Sequence, residues 1–224
     1  MEVLVPFSTD RPKSRLSAVL TPDERTAFSR AMLRDVLDAI GEAGGEPRVL
    51  ATGAVDADLP CPVTVDDRPL TDAVNAALDA RLGESDTVAD RVAVVMADLA
   101  LATPDALREL FAAGREAEVA IAPGRGGGTN AFVAGHPEFE TDYHGTSYLD
   151  HRRIADGIGA SVAVVDSHRL ATDVDEPADL AEVLIHAEAD DGGDDGDGER
   201  APRWLRDAGF ALETTGGRVG VERE

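Results

Sequence analysis

Lys13 is the only lysine in a chain of 224 residues. It stands in the stretch VPFSTDRPKSRLS, residues 5–17, with Arg11 and Arg15 among small hydroxyl residues, a local reversal of a strongly acidic composition. A retained ammonium suits a compact phosphate-binding charge, and a basic loop of this kind offers guanidinium, hydroxyl and backbone donors to a triphosphate. The plain alternative is a solvated surface loop. Three further stretches carry groups of matching chemistry. VVMADLAL, 94–101, ends an apolar run on Asp98, a carboxylate placed to coordinate magnesium or to cap a turn. APGRGGGTNAF, 122–132, combines three consecutive glycines, whose amides can approach an anion, with the hydrogen-bonding side chains of Thr129 and Asn130. RLATDVDEPADL, 169–180, places Asp173 and Asp175 two apart, on one side of an extended segment, where a pair of carboxylates suits a divalent cation. Capping of the following helix by Asp175 is the rival reading.

Other chemistries lack their signatures. No GK[ST] follows a glycine-rich run, so the basic loop is not a P-loop, and no G-x-S-x-G elbow supports a Ser/His/Asp hydrolase. In YHGTSYLDH, 143–151, Ser147 is placed to cap a helix and His151 to sit one turn inside it. His144 and His151 have no third ligand at zinc spacing. Cys61 is the sole cysteine, which excludes an internal disulfide and a cysteine-based zinc cluster.

The elements that must position these groups alternate. Strands are predicted over 1–6, 47–52, 61–65, 91–97, 118–123, 131–134 and 161–166, and helices over 21–43, 70–82, 104–113, 147–158 and 176–187. Thr21, Pro22 and Glu24 supply the start signals of the first long helix. Such alternation implies an α/β fold, a Rossmann-like and mostly parallel sheet with helices on both faces, and ligands of such sheets lie beyond the carboxyl ends of the strands. Residues 1–187 are read as the main domain and 188–202 as an acidic flexible linker. Residues 203–224 are read as an appended hairpin turning at Gly216-Gly217.

Forty-four Asp and Glu oppose 21 Lys and Arg, a formal net charge of -23, while 43% of residues are hydrophobic. The patterned apolar blocks argue against disorder. The charge repels nucleic acid and anionic membrane, and acid excess with almost no lysine suits a concentrated-salt cytosol, where a Debye length of about 3 Å screens self-repulsion. No stretch approaches a membrane span, and the N-terminus lacks a secretory pattern, so a soluble, cytoplasmic protein is expected. Homodimerisation is left open.

Taken in order, VPFSTDRPKSRLS, VMADLAL, GRGGGTNAF, SYLDH and RLATDVDEPADL resemble the 2-phospho-L-lactate guanylyltransferase family, which includes phosphoenolpyruvate guanylyltransferases, over roughly residues 1–186. The resemblance implies a glycosyltransferase-A type fold, shared with the nucleotide-diphospho-sugar transferases. The implied reaction is magnesium-dependent transfer of GMP from GTP to 2-phospho-L-lactate or phosphoenolpyruvate, with loss of pyrophosphate, in biosynthesis of the deazaflavin coenzyme F-420. It further implies that Lys13 and Arg15 hold the GTP phosphates, and that Asp98 binds metal with Asp173 or Asp175. Thr129, Asn130, Gly145 and Ser147 would form the acceptor side of the site. Within this picture the basic loop faces the carboxylates across a gap as wide as a triphosphate. A molybdopterin- or sugar-phosphate nucleotidyltransferase of the same fold, or a noncatalytic GTP-binding module, is the competing reading.

Overall fold

The computed structural model describes residues 1–55, 58–82, 91–190, 200–214 and 219–223. Seven strands, β1 (Glu2–Phe7), β2 (Glu46–Ala51), β3 (Val63–Val65), β4 (Val92–Val95), β5 (Val119–Pro123), β6 (Thr129–Ala134) and β7 (Val162–Val164), form one sheet in the order β3-β2-β1-β4-β6-β5-β7. β1 pairs in parallel with β2 and β4, β2 with β3, and β5 with β7, while β6 runs antiparallel to both β4 and β5. The reversal follows from the short turn between β5 and β6, because parallel neighbours need a long crossover. Strand β6 begins at Thr129, two residues before the predicted start. Thr129 and Asn130 are therefore sheet residues with a defined facing.

Alternate side chains along the strands serve opposite faces, as the pleat requires. Val3, Val5, Ala93, Val95, Ala131 and Val133 pack with Leu33, Val36, Leu37 and Ile40 of α1 (Pro22–Glu42) and Leu107, Leu110 and Phe111 of α3 (Pro104–Glu116). Leu4, Val92, Val94, Phe132 and Ala134 pack instead with Val74 and Leu78 of α2 (Leu70–Leu82) and Ala155 of α4 (Ser147–Gly157). The start of α1 has the expected cap at Thr21 and proline in the first turn, and Glu24 closes a reciprocal capping box with Thr21. No helix among the described residues is long and apolar enough to cross a membrane.

The C-terminal region folds against the same body. α6 (Pro177–Asp190), α7 (Arg200–Asp207), β8 (Phe210–Glu213) and β9 (Gly220–Arg223) close over Phe28 and Met32 of α1 and over Leu16, with Val183, Leu184, Leu205 and Phe210 buried among them. β8 and β9 pair as an antiparallel hairpin. Residues 188–190 complete α6 and 200–202 begin α7, so the stretch expected as linker is helical at both ends. Its acidic middle, 191–199, and the Gly216-Gly217 turn lie outside the described residues. The start of α7 is held from α1: Asp35 accepts from the backbone N–H of Arg200 at 2.9 Å and of Ala201 at 2.7 Å.

Two packing constraints generate tests. The backbone of α3 meets β6 at Gly114, where an added Cβ would lie 2.5 Å from a Val133 methyl. Gly114→Ala gains about 1 kcal/mol of helix propensity and loses about 1–3 kcal/mol to overpacking. A net destabilisation in urea unfolding is expected, and Val133→Ala in the same chain should relieve it. On the opposite face His151 is fully buried among Phe132, Phe139 and Tyr143. Its Nε2 accepts from the Asp142 N–H at 2.9 Å, which places the ring proton on Nδ1. Burial, only partly opposed by Asp142 and Asp150, lowers its pKa from the ordinary 6.5 to about 4. Between those values the unfolded chain binds a proton that the folded chain does not, so stability rises with pH and is lost on acidification, by up to about 3 kcal/mol from this group. Unfolding midpoints measured across this window should show a component that His151→Gln removes.

Candidate active site

The loop leaving β1 reaches the site through a strained backbone. Arg11 and Lys13 have φ of 43° and 53°, a left-handed conformation costing a non-glycine residue on the order of 1–3 kcal/mol. The loop is held on one side by Thr52, whose Oγ1 accepts from the Thr9 N–H at 2.9 Å. On the other side a 3-10 turn, Ser14–Ala18, starts on the Lys13 carbonyl and buries Leu16. Lys13 is thereby turned inward. Its Nζ donates to Asp98 Oδ2 at 2.6 Å and to Asp175 Oδ1 at 2.8 Å, and Arg15 Nη1 donates to Asp175 Oδ2 at 3.1 Å. Only 10% of the Lys13 side chain is exposed. Burial works against the ammonium, but the two carboxylates more than offset it, and the Lys13 pKa lies above the ordinary lysine value.

This geometry corrects one expectation. Lys13 does not face the carboxylates across a triphosphate-wide gap; it touches them. Two acids brought together on neighbouring turns repel one another, and the ammonium between them neutralises that repulsion directly. Asp98 lies three residues beyond the end of β4, and its carbonyl accepts from the Val174 N–H at 3.1 Å, which ties the β4 turn to the segment carrying Asp173 and Asp175. Asp98 Oδ1 is buried without a hydrogen-bond partner. An orphaned carboxylate oxygen in an all-oxygen donor set fits a hard divalent cation such as magnesium.

Asp173 joins the group from the β6 side. Asn130 Nδ2 donates to Asp173 Oδ1 at 3.2 Å and to the Leu170 carbonyl at 3.1 Å. Burial raises the Asp173 pKa, the Asn130 hydrogen bond opposes it, and the charges of Asp98 and Asp175 add to the rise. The capping reading of Asp175 fails. Its side chain goes to Lys13 and Arg15, and Asp179 in the first turn of α6 reaches back to accept from the N–H groups of Asp175 and Glu176.

The remaining expected residues form a second, buried group. Ser147 Oγ accepts from the Thr129 N–H at 2.9 Å, and His151 Nδ1–H donates to Thr129 Oγ1 at 2.9 Å. Ser147 is thus the first residue of α4, not its cap. Gly145 sits on the exposed turn before α4 at φ 58°, with open space where a Cβ would be. The glycine-rich turn is also more internal than expected. Its Gly124 and Gly127 amides bond to carbonyls of the turn itself, and a Cβ on Gly124 would lie 2.5 Å from Asn130 Oδ1. Glycine here lets Asn130 reach Asp173. Thr129 and Asn130, adjacent on β6, link the two groups.

In front of Lys13 and Asp98 opens a cavity of about 420 Å³ at the carboxyl ends of β1, β2, β3 and β4. The size falls within the range of small-ligand sites, and the place is the switch point where the strand order turns outward from β1. Pro6, Phe7, Leu50, Leu70, Met96 and Ala97 line it with apolar surface; Thr52, Asp66 and Arg68 contribute polar groups. These last three were not legible as site residues. The sequence signal of Asp66 and Arg68, an Asp-Asp-Arg-Pro run between a strand and a helix, is shared with many ordinary turns, and Thr52 stands alone just after the end of β2.

The family model for guanylyl transferases of the CofC-like kind matches residues 1–222. A 2-phospho-L-lactate guanylyltransferase of Halorubrum lacusprofundi is 81% identical over 224 residues, covering 100% of both chains. Proteins of the same name from Halomicrobium mukohataei and Haloferax volcanii are 59% and 54% identical, each covering 100% of this chain and at least 99% of their own. A solved nucleotide-diphospho-sugar transferase from Desulfovibrio desulfuricans superposes with a TM-score of 0.71 at 16% identity, over 92% of this chain and 95% of that one. The 2-C-methyl-D-erythritol 4-phosphate cytidylyltransferase of Thermus thermophilus does so with a TM-score of 0.50 at 16% identity, over 84% and 98%. These structural likenesses carry the α/β fold expected from the alternation of elements. The family match over nearly the whole length, with relatives identical at more than half their positions, places the chain among the CofC-like guanylyl transferases.

Proposed function

We propose that the chain transfers GMP from GTP to 2-phospho-L-lactate or a related phosphorylated acid such as phosphoenolpyruvate, releasing pyrophosphate, as a step toward coenzyme F-420. The observation that carries this reading is the junction of Lys13, Asp98 and Asp175 at the mouth of a nucleoside-sized cavity. The names of the relatives and the family match support the nucleotide and the acceptor.

The cavity receives the nucleoside, with its apolar walls against the base and sugar. Lys13 and Arg15 then exchange their carboxylate partners for phosphate oxygens, and the strained Lys13 backbone keeps the ammonium pointed at that place. Asp98, with Asp173 and Asp175, would hold magnesium, which supplies charge neutralisation on the phosphates when bound. Asn130 keeps Asp173 turned toward Asp98. The Thr129, Ser147 and Gly145 region orients the acceptor's phosphate and carboxylate. The acceptor phosphate is already ionised at neutral pH, so its oxygen attacks the α-phosphorus with no general base, and pyrophosphate leaves in line. The task of the protein is to bring two anions together, and the one lysine of the chain is placed for it. The net charge of -23 further suits a salt-rich cytosol, where screening lets an anionic nucleotide approach an acidic surface.

Pyrophosphate release in the presence of GTP, magnesium and 2-phospho-L-lactate or phosphoenolpyruvate tests the reading, and release should require the acid. Release that is independent of the acid, or absent with both acids, contradicts it. Asp98→Asn should lose at least about a hundredfold in kcat, the usual loss for one electrostatic contact to a reacting phosphate, while circular dichroism stays unchanged. Lys13→Ala should raise KM for GTP as well as lower kcat, because its contact forms on binding.

A further inference from the structure

A second cluster of ligating side chains lies outside this site. His168 comes from α5 (His168–Ala171), and Glu182 and His186 come from one face of α6, a helical turn apart. The Nε2 atoms of His168 and His186 are 3.2 Å apart, each lies 3.8 Å from Glu182 Oε2, and the three ligand atoms all fall within 4.8 Å of one another. Nitrogens sharing a tetrahedral zinc at about 2.0–2.1 Å would stand about 3.3 Å apart. The two imidazoles therefore already have the separation of metal ligands, and the glutamate has to close by about half an ångström.

We propose that His168, Glu182 and His186 bind a divalent cation of the zinc, cobalt or nickel class. Two imidazoles with one carboxylate select such an ion over magnesium, which prefers oxygen ligands alone. The site is thus chemically separate from the Asp98, Asp173 and Asp175 group. His168 is half exposed, with its side chain 51% accessible, so water completes the coordination. Position gives the site a consequence. α5 and α6 flank the segment 172–176 that carries Asp173 and Asp175, and a cation joining the two helices clamps that segment from behind. Such a coordination bond is not screened by salt, unlike the surface ion pairs of a strongly acidic protein.

The test uses the full chain, purified without a polyhistidine tag and stripped with a chelator, titrated with cobalt(II) and with zinc at neutral pH. One equivalent of cobalt with visible d–d absorption, displaced by zinc, is expected. His168→Gln and His186→Gln should each weaken zinc binding more than about tenfold, the loss that even an outer-shell partner of a metal ligand produces, and Asp98→Asn should leave it unchanged. Circular dichroism on the same variants checks that they fold. Absence of stoichiometric binding by the parent chain, or binding that survives both histidine substitutions, overturns the proposal. So does binding that Asp98→Asn abolishes.

Discussion

The arrangement of the site rests on one interaction, the Lys13 ammonium held between Asp98 and Asp175. It joins three parts of the fold that are distant in sequence: the loop after β1, the turn after β4, and the segment entering α6. A largely buried ammonium is costly to desolvate, and two carboxylates facing each other repel; each cost is offset by the other group, with Arg15 adding a second cation at Asp175. Removing the lysine would leave uncompensated buried charge, a loss typically of about 3–5 kcal/mol. The balance also makes the site responsive. In the proposed reaction a phosphate offered to Lys13 and a cation offered to the carboxylates would satisfy the same groups again, replacing one set of ion pairs with another at little net electrostatic cost.

Much of this was legible in the sequence because the signals are local. Apolar runs and helix start signals located the elements on both faces of the sheet, and the retention of one lysine in an acidic chain pointed to the residue at the centre of the site. Asp98, Asp173 and Asp175 could be nominated because residues at strand ends face the ligand side of such sheets. What was not legible depends on partners far along the chain. The start of α7 is held by Asp35 from α1, the hydroxyl of Ser147 is claimed by the Thr129 backbone, and the glycine-rich turn serves to let Asn130 approach Asp173. Direct contact of Lys13 with the carboxylates was hidden for the same reason. Spacing along a strand reports which way a side chain faces, not how far a loop from another strand reaches.

Composition and site chemistry pull in opposite directions, and the fold separates them. The chain as a whole is acidic, whereas Lys13 and Arg68 line the cavity and Arg15 pairs with Asp175, the second partner of Lys13. At molar salt an exposed acid excess would be screened within a few ångströms, while the largely buried Lys13 would be screened far less. A nucleotide can thus meet an acidic surface in concentrated salt and still find strong local cations. The sequence has arginine in every other cationic side-chain position, so Lys13 is the one lysine ammonium the chain offers.

In the proposed reaction the triphosphate engages Lys13 while a cation engages Asp98. The most direct measurement is a crystal structure of the chain with magnesium and a non-hydrolysable GTP analogue. Phosphate oxygens are expected within hydrogen-bonding distance of Lys13 Nζ, with a metal ion on Asp98 and the guanosine in the cavity beside Leu50 and Met96. A nucleotide bound elsewhere, with Lys13 still closed on Asp98 and Asp175, would contradict the proposal.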